Sequence, residues 1–148
     1  MKIISKLTLL SILTTSTLLS STTNDVEDLV NKAYSFCEKE GLDKCIKSFN
    51  NRDPEFIKDD LYIFVSEFNG MMLAHAGNNK LIGKDLSKVK SPSGIYPAEE
   101  FEKIAKNTGY GWVDYKWSHP TTKKITDKST FIKRFKDKDI FIGSGYYK

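Results

Sequence analysis

The sequence predicts an α+β fold: an antiparallel five-stranded sheet with helices on one side. Asn69-Gly70 sits between two apolar runs, and that turn between strand-like flanks is a strong hairpin signal. Three more strand candidates follow one another near the C-terminus, separated by short polar connections. Between Val26 and Phe49 apolar residues recur at helical spacing instead. Strands joined by short turns pair antiparallel, and amphipathic helices bury their apolar stripe against such a sheet.

The chain opens with Met1-Lys2-Ile3-Ile4-Ser5-Lys6, an uncharged stretch from Leu7 to Leu19, and Ser20-Ser21-Thr22-Thr23. A basic start, a short apolar region and small residues form a secretory signal peptide. It is expected over residues 1–23, leaving 24–148 as one domain. The apolar run is too short and too interrupted by Ser and Thr to span a bilayer well. The mature chain is therefore expected to have no transmembrane span and to be secreted or periplasmic; an uncleaved leader would instead anchor it. Losing Lys2 and Lys6 lowers the formal charge from +4 to +2. The remaining charges are Lys intermixed with Asp and Glu, with Arg52 and Arg134 the only arginines. That composition argues against a nucleic-acid partner.

Asn24-Asp25 is the expected cap of a first helix starting near Val26, with acids favouring its positive dipole end. Val26, Leu29, Val30, Ala33, Tyr34 and Cys37 give it one apolar face. Gly41 ends the pattern, and Asp43 to Phe49 reads as a second helical segment. Cys37 and Cys45 are the only cysteines. In an exported chain an even, closely spaced pair fits a disulfide across that turn, worth roughly 2–3 kcal/mol. The spacing does not match a Cys-x-x-Cys redox or metal site.

Asn50 to Pro54 is a turn-rich connector. The hairpin over Leu61–Ala76 follows, with a type I′ turn expected at Asn69-Gly70. Residues 77–94 read as loop. Pro97 to Asn107 reads as a short helix, with proline in its first turn and Phe101, Ile104 and Ala105 on its apolar side. Strands are expected over Gly111–Trp117, Ile125–Phe135 and Ile140–Tyr146.

Several segments resemble one family. Met72-Leu73-Ala74-His75-Ala76 and Leu81-Ile82-Gly83-Lys84-Asp85-Leu86, then Gly109 to Trp117, Lys128 to Lys133 and Ile142 to Tyr147, are similar in order and pattern to the single Cache domain. The resemblance covers the chain after the leader. It implies a PAS-like antiparallel five-stranded sheet with a long N-terminal helix and a short central helix. It also implies a sensor, of the kind used in chemotaxis and signal transduction, with a ligand cavity under the central helix-loop segment. The long helix would receive or transmit the signal.

On this reading His75, where the second hairpin strand ends, and Lys128, inside a later strand, are the candidate groups for a carboxylate. His75 would offer a hydrogen bond or a positive charge, and Lys128 an ammonium. Tyr115, Trp112, Trp117, Tyr62 and Phe64 are candidate pocket walls. Alternation puts Trp112, Asp114 and Lys116 on one face of their strand, and Val113, Tyr115 and Trp117 on the other. A loop-capping histidine, a snorkelling lysine and rings buried in the core are the competing roles. Gly143 and Gly145 mark close packing rather than phosphate binding.

No sequence motif of a hydrolase, metal site or nucleotide site occurs. A binding protein for a short organic acid, without cofactor or metal and not an enzyme, is the expectation. Because the sequence ends after the last strand, its signal is expected to pass to a separate partner such as a membrane receptor or kinase. A ligand-free assembly module and a small secreted hydrolase are the rival classes.

Overall fold

The structure, a computed structural model, describes residues 21–148. Of the expected leader only residues 21–23 fall within them; the rest lies outside the described residues. The elements run α1 (Thr23–Glu40), α2 (Leu42–Asn50), β1 (Ile57–Lys58), β2 (Leu61–Tyr62), β3 (Phe64–Glu67), β4 (Met72–His75), α3 (Pro97–Asn107), β5 (Tyr110–Ser118), β6 (Ile125–Arg134) and β7 (Ile140–Tyr147). Strands β3 to β7 form the five-stranded sheet in the order β4-β3-β7-β6-β5, antiparallel throughout. This is the PAS-like α+β architecture. Strands β1 and β2 form a separate small ribbon.

Helices cover both faces of the sheet, not one. Strands β6 and β7 are apolar on both sides: Phe131 and Ile142 face one way, Ile132 and Phe141 the other, and all are buried. Each face therefore needs its own cover. Helices α1 and α2 pack Val26, Val30, Ala33 and Phe49 against Val65, Phe131 and Ile142. On the other face α3 packs Phe101 and Ala105 against Phe64, Val113, Ile132 and Phe141.

Helix α1 starts earlier than Val26, and its cap is Thr22. The Thr22 hydroxyl accepts the Asp25 N–H at 3.3 Å, while the Asp25 carboxylate accepts the Thr22 N–H at 2.9 Å. This reciprocal capping box satisfies two otherwise orphaned donors, which Asn24 and Asp25 alone would not do. Asp25 also pairs with Lys58 at 2.6 Å, tying the helix start to the ribbon. The Cys37–Cys45 disulfide joins α1 and α2 across Gly41, with 5.2 Å between Cα atoms.

The hairpin forms with a different turn from the expected type I′. Gly70 has a φ of +90°, and Asn69 is not among the positive-φ residues. The Gly70 N–H meets the Glu67 carbonyl, and the Glu67 N–H meets the Met71 carbonyl. This is a three-residue loop closed by a glycine bulge. A second irregularity sits within the hairpin. Val65 pairs with Ala74, but Ser66 pairs with Met72, leaving Leu73 as an extra residue. The first hairpin strand is also split at Ile63, because Leu61 and Tyr62 pair with Ile57 and Lys58.

Candidate ligand-binding site

A cavity of about 60 Å³ lies between the sheet and the segment containing α3. Alternation decides which side chains reach it. The ladder sets Lys128 opposite Tyr115 and Tyr147, and Phe64 opposite His75. The Leu73 bulge is what brings Met72 and His75 to the same side. Three positions apart in a regular strand they would face opposite ways; the extra residue restores them to one face, and both line the cavity.

Six of the seven sequence-predicted residues line it: His75, Lys128, Tyr115, Trp117, Tyr62 and Phe64. Trp112 does not. It lies on the opposite face, where its indole Nε1 donates to Glu27 Oε1 of α1 at 3.0 Å and its ring packs on Phe131. Strand parity already separates Trp112 from Tyr115 and Trp117.

Lys128 is buried. Its Nζ donates to the Tyr62 hydroxyl at 2.7 Å and more weakly to the Tyr147 hydroxyl at 3.4 Å. It also stands 4.6 Å and 4.7 Å from the centres of those two rings. Among the described residues no carboxylate pairs with it, and no acid lines the cavity. Two phenol rings stabilise a cation by about 0.5–2 kcal/mol each, less than the several kcal/mol that desolvating an ion costs.

Gly143 and Gly145 of β7 make this placement of Lys128 and Phe64 feasible. A Cβ on Gly145 would overlap Thr130 Oγ1 and sit 2.9 Å from Lys128 Cε; one on Gly143 would meet the Phe64 ring at 2.6 Å. Both glycines thus serve close packing.

His75 is buried, and its Nδ1 accepts the Asn78 N–H at 2.9 Å. The proton of the neutral ring therefore resides on Nε2. Burial, and then the neighbouring Lys128 charge, push its pKa down to about 4. At neutral pH His75 offers an N–H, not a charge. The Tyr62 and Tyr115 hydroxyls are held protonated by burial, and Tyr115 shares a hydrogen bond with Thr130 at 3.0 Å.

The remaining walls are apolar: Met72, Leu81, Leu86, Val89, Phe101 and Phe141 among them. Sequence reasoning missed these and Tyr147. Parity along β7 could have found Phe141 and Tyr147, which share a face with Gly143 and Gly145. No periodic signal marks Leu81, Leu86 and Val89, since they lie in irregular chain.

The Cache domain family matches residues 10–148, and the chain belongs to that family, as a single Cache domain. It is 32% identical over 88 residues to the methyl-accepting chemotaxis protein McpP of Pseudomonas putida, which is 60% of this chain and 16% of that receptor. The chain thus spans well under two thirds of this relative. Among solved structures, one described as the basis for carboxylic acid recognition by a Cache chemosensory domain superposes with a TM-score of 0.70. It is 23% identical and covers 84% of this chain and 92% of that one. A periplasmic sensor domain of a chemotaxis protein matches with a TM-score of 0.64 and 25% identity over 82% of this chain and 86% of that one. No helix among the described residues is long and apolar enough to cross a membrane.

Proposed function

We propose that this is an extracytoplasmic sensor domain that binds a short organic acid and passes its occupancy to a receptor or kinase partner. One observation carries the reading: Lys128 is a buried cation, without a carboxylate partner among the described residues, at the wall of a small and mostly apolar cavity. An anion there supplies the missing counter-charge. The third Nζ proton, the Tyr62 hydroxyl and the His75 Nε2–H are the donors for its two oxygens, and the surrounding rings enclose the apolar end. A water needs about 10–15 Å³ of such space, so the cavity's size favours a ligand of only a few heavy atoms. The similarity to chemotaxis receptors supports the signalling role. Export is part of the proposal, with processing that leaves Thr22 in place, because its hydroxyl caps α1.

Calorimetry and thermal unfolding with acetate, propionate and pyruvate, each against its neutral amide, test it. An acid at a hundred times its Kd should stabilise the fold by about 2.7 kcal/mol, and the amides should have little effect. Lys128→Met keeps the stem and removes the charge. It should weaken acid binding at least thirty-fold, about 2 kcal/mol, while leaving the ligand-free protein as stable or more so. Equal binding of acids and amides, or undiminished binding by Lys128→Met, would refute the reading.

A further inference from the structure

Positive charge recurs in short runs of this domain, residues 116–126 and 133–138 each being net +3, and a further such run lies over the cavity. Of 23 basic residues Lys2 and Lys6 lie outside the described residues, so 21 face 19 acids, a net +2. Residues 80–90 carry Lys80, Lys84, Lys88 and Lys90 against a single acid, Asp85, a net +3. All four lysines are exposed, and none forms an ion pair among the described residues.

This strip is the cover of the cavity. Leu81, Leu86 and Val89 line it, and each lysine lies within two residues of one of them. The strip is strapped to the outer edge of β4. Gly83 N donates to Met72 O at 2.8 Å, Met72 N to Lys84 O at 3.0 Å, and Leu86 N to Gly70 O at 2.9 Å. Farther along, Ser93 Oγ accepts the Lys116 N–H of β5 at 3.1 Å. The chain thus crosses the pocket face from one edge strand to the other, apolar side chains inward and lysines out.

We propose that Lys80, Lys84, Lys88 and Lys90 form an anion-collecting rim that concentrates small anions at the mouth of the cavity and speeds their entry. Clustered charge beside a low-dielectric cleft raises the local concentration of counter-ions, and with it on-rates, by ten-fold or more at low salt. Lys128 holds the anion once inside; the rim acts before contact. The ligand side of this inference rests on the acid-binding reading above, but the rim's field does not, and it is measurable without any ligand.

Trp117 lines the cavity and Trp112 lies on the other face of the sheet, so Trp112→Phe leaves one reporter at the site. Its fluorescence is quenched with iodide, caesium and neutral acrylamide, each scaled to free tryptophan amide. At about 0.1 M salt, where the Debye length is near 10 Å, iodide should quench at least three times as well as caesium. The ratio should approach one at about 1 M salt, where that length is near 3 Å. Replacing the four lysines by glutamine should at least halve the ratio at low salt and leave acrylamide quenching unchanged. An unaltered ratio overturns the proposal, as does an equal change in acrylamide quenching, which would mean that the strip had moved. Lys128→Met separates the two readings: it removes acid binding and leaves most of the iodide preference. If acids never bind but the iodide preference is present, the acid reading falls and the rim stands.

Discussion

At the scale of single residues the site depends on two nitrogen groups in opposite states. Lys128 keeps a charge among phenols, and His75 is denied one by burial and by that same charge. The histidine's folded-state pKa, about 4, lies below the ordinary value near 6.5. Between those limits the unfolded chain binds more protons than the folded one, so stability falls as pH drops from about 6.5 to 4. Over the whole window the loss approaches about 3 kcal/mol for one such group. His75→Asn keeps an acceptor for the Asn78 N–H but has nothing to titrate. Urea unfolding at pH 7, 5.5 and 4 should show the wild type losing about 2–3 kcal/mol more than this variant. Parallel pH profiles would mean that His75 is not buried as a neutral ring.

At the scale of elements the cavity depends on local departures from regular strand geometry. The cavity depends equally on close packing between β6 and β7, which Gly145→Ala tests, since its Cβ would press on Thr130, on the Ser129 carbonyl and on the Lys128 stem. Overpacking of this kind costs about 1–3 kcal/mol. The displaced ammonium should also weaken acid binding about ten-fold, read by denaturation and calorimetry on the same sample. Wild-type affinity in that variant would show that Lys128 tolerates displacement. The same departures explain what the sequence did and did not reveal. Helix α3 was legible residue for residue because Pro97 starts it and its apolar spacing is regular. Strands β5, β6 and β7 were legible to within a residue or so for the same reason of clean patterning. Parity placed Tyr115 and Trp117 together and Trp112 apart. The Leu73 bulge was not legible, because alternation assumes that no residue is skipped. The β1 strand was hidden as well: two residues, Ile57 and Lys58, are too few to carry a period. The turn at Gly70 was placed correctly but given the wrong geometry, since Asn-Gly suits both a two-residue turn and a glycine bulge.

At the scale of the whole molecule one sheet divides two cores with different tasks. The core beneath α1 and α2 is closely packed and stapled by Cys37–Cys45. The other contains the cavity beneath α3 and the lysine-bearing strip. The α+β order was readable because local signals mark each element. The two-sided cover was not, because it depends on both faces of β6 and β7 being apolar across the sheet. This division predicts how damage spreads. A disulfide closing so short a loop contributes roughly 2–3 kcal/mol, mainly by restricting the unfolded chain. Its removal by Cys37→Ala with Cys45→Ala should therefore lower stability by about that amount. Changes that share no contacts are nearly additive, and neither cysteine lines the cavity. Acid affinity in the double variant should accordingly stay within about two-fold of wild type at temperatures where both are folded. A much larger loss of affinity, with stability lowered only as expected, would mean that α1 and the cavity are coupled through the sheet. The helical layer would then be part of the binding equilibrium rather than a support for it.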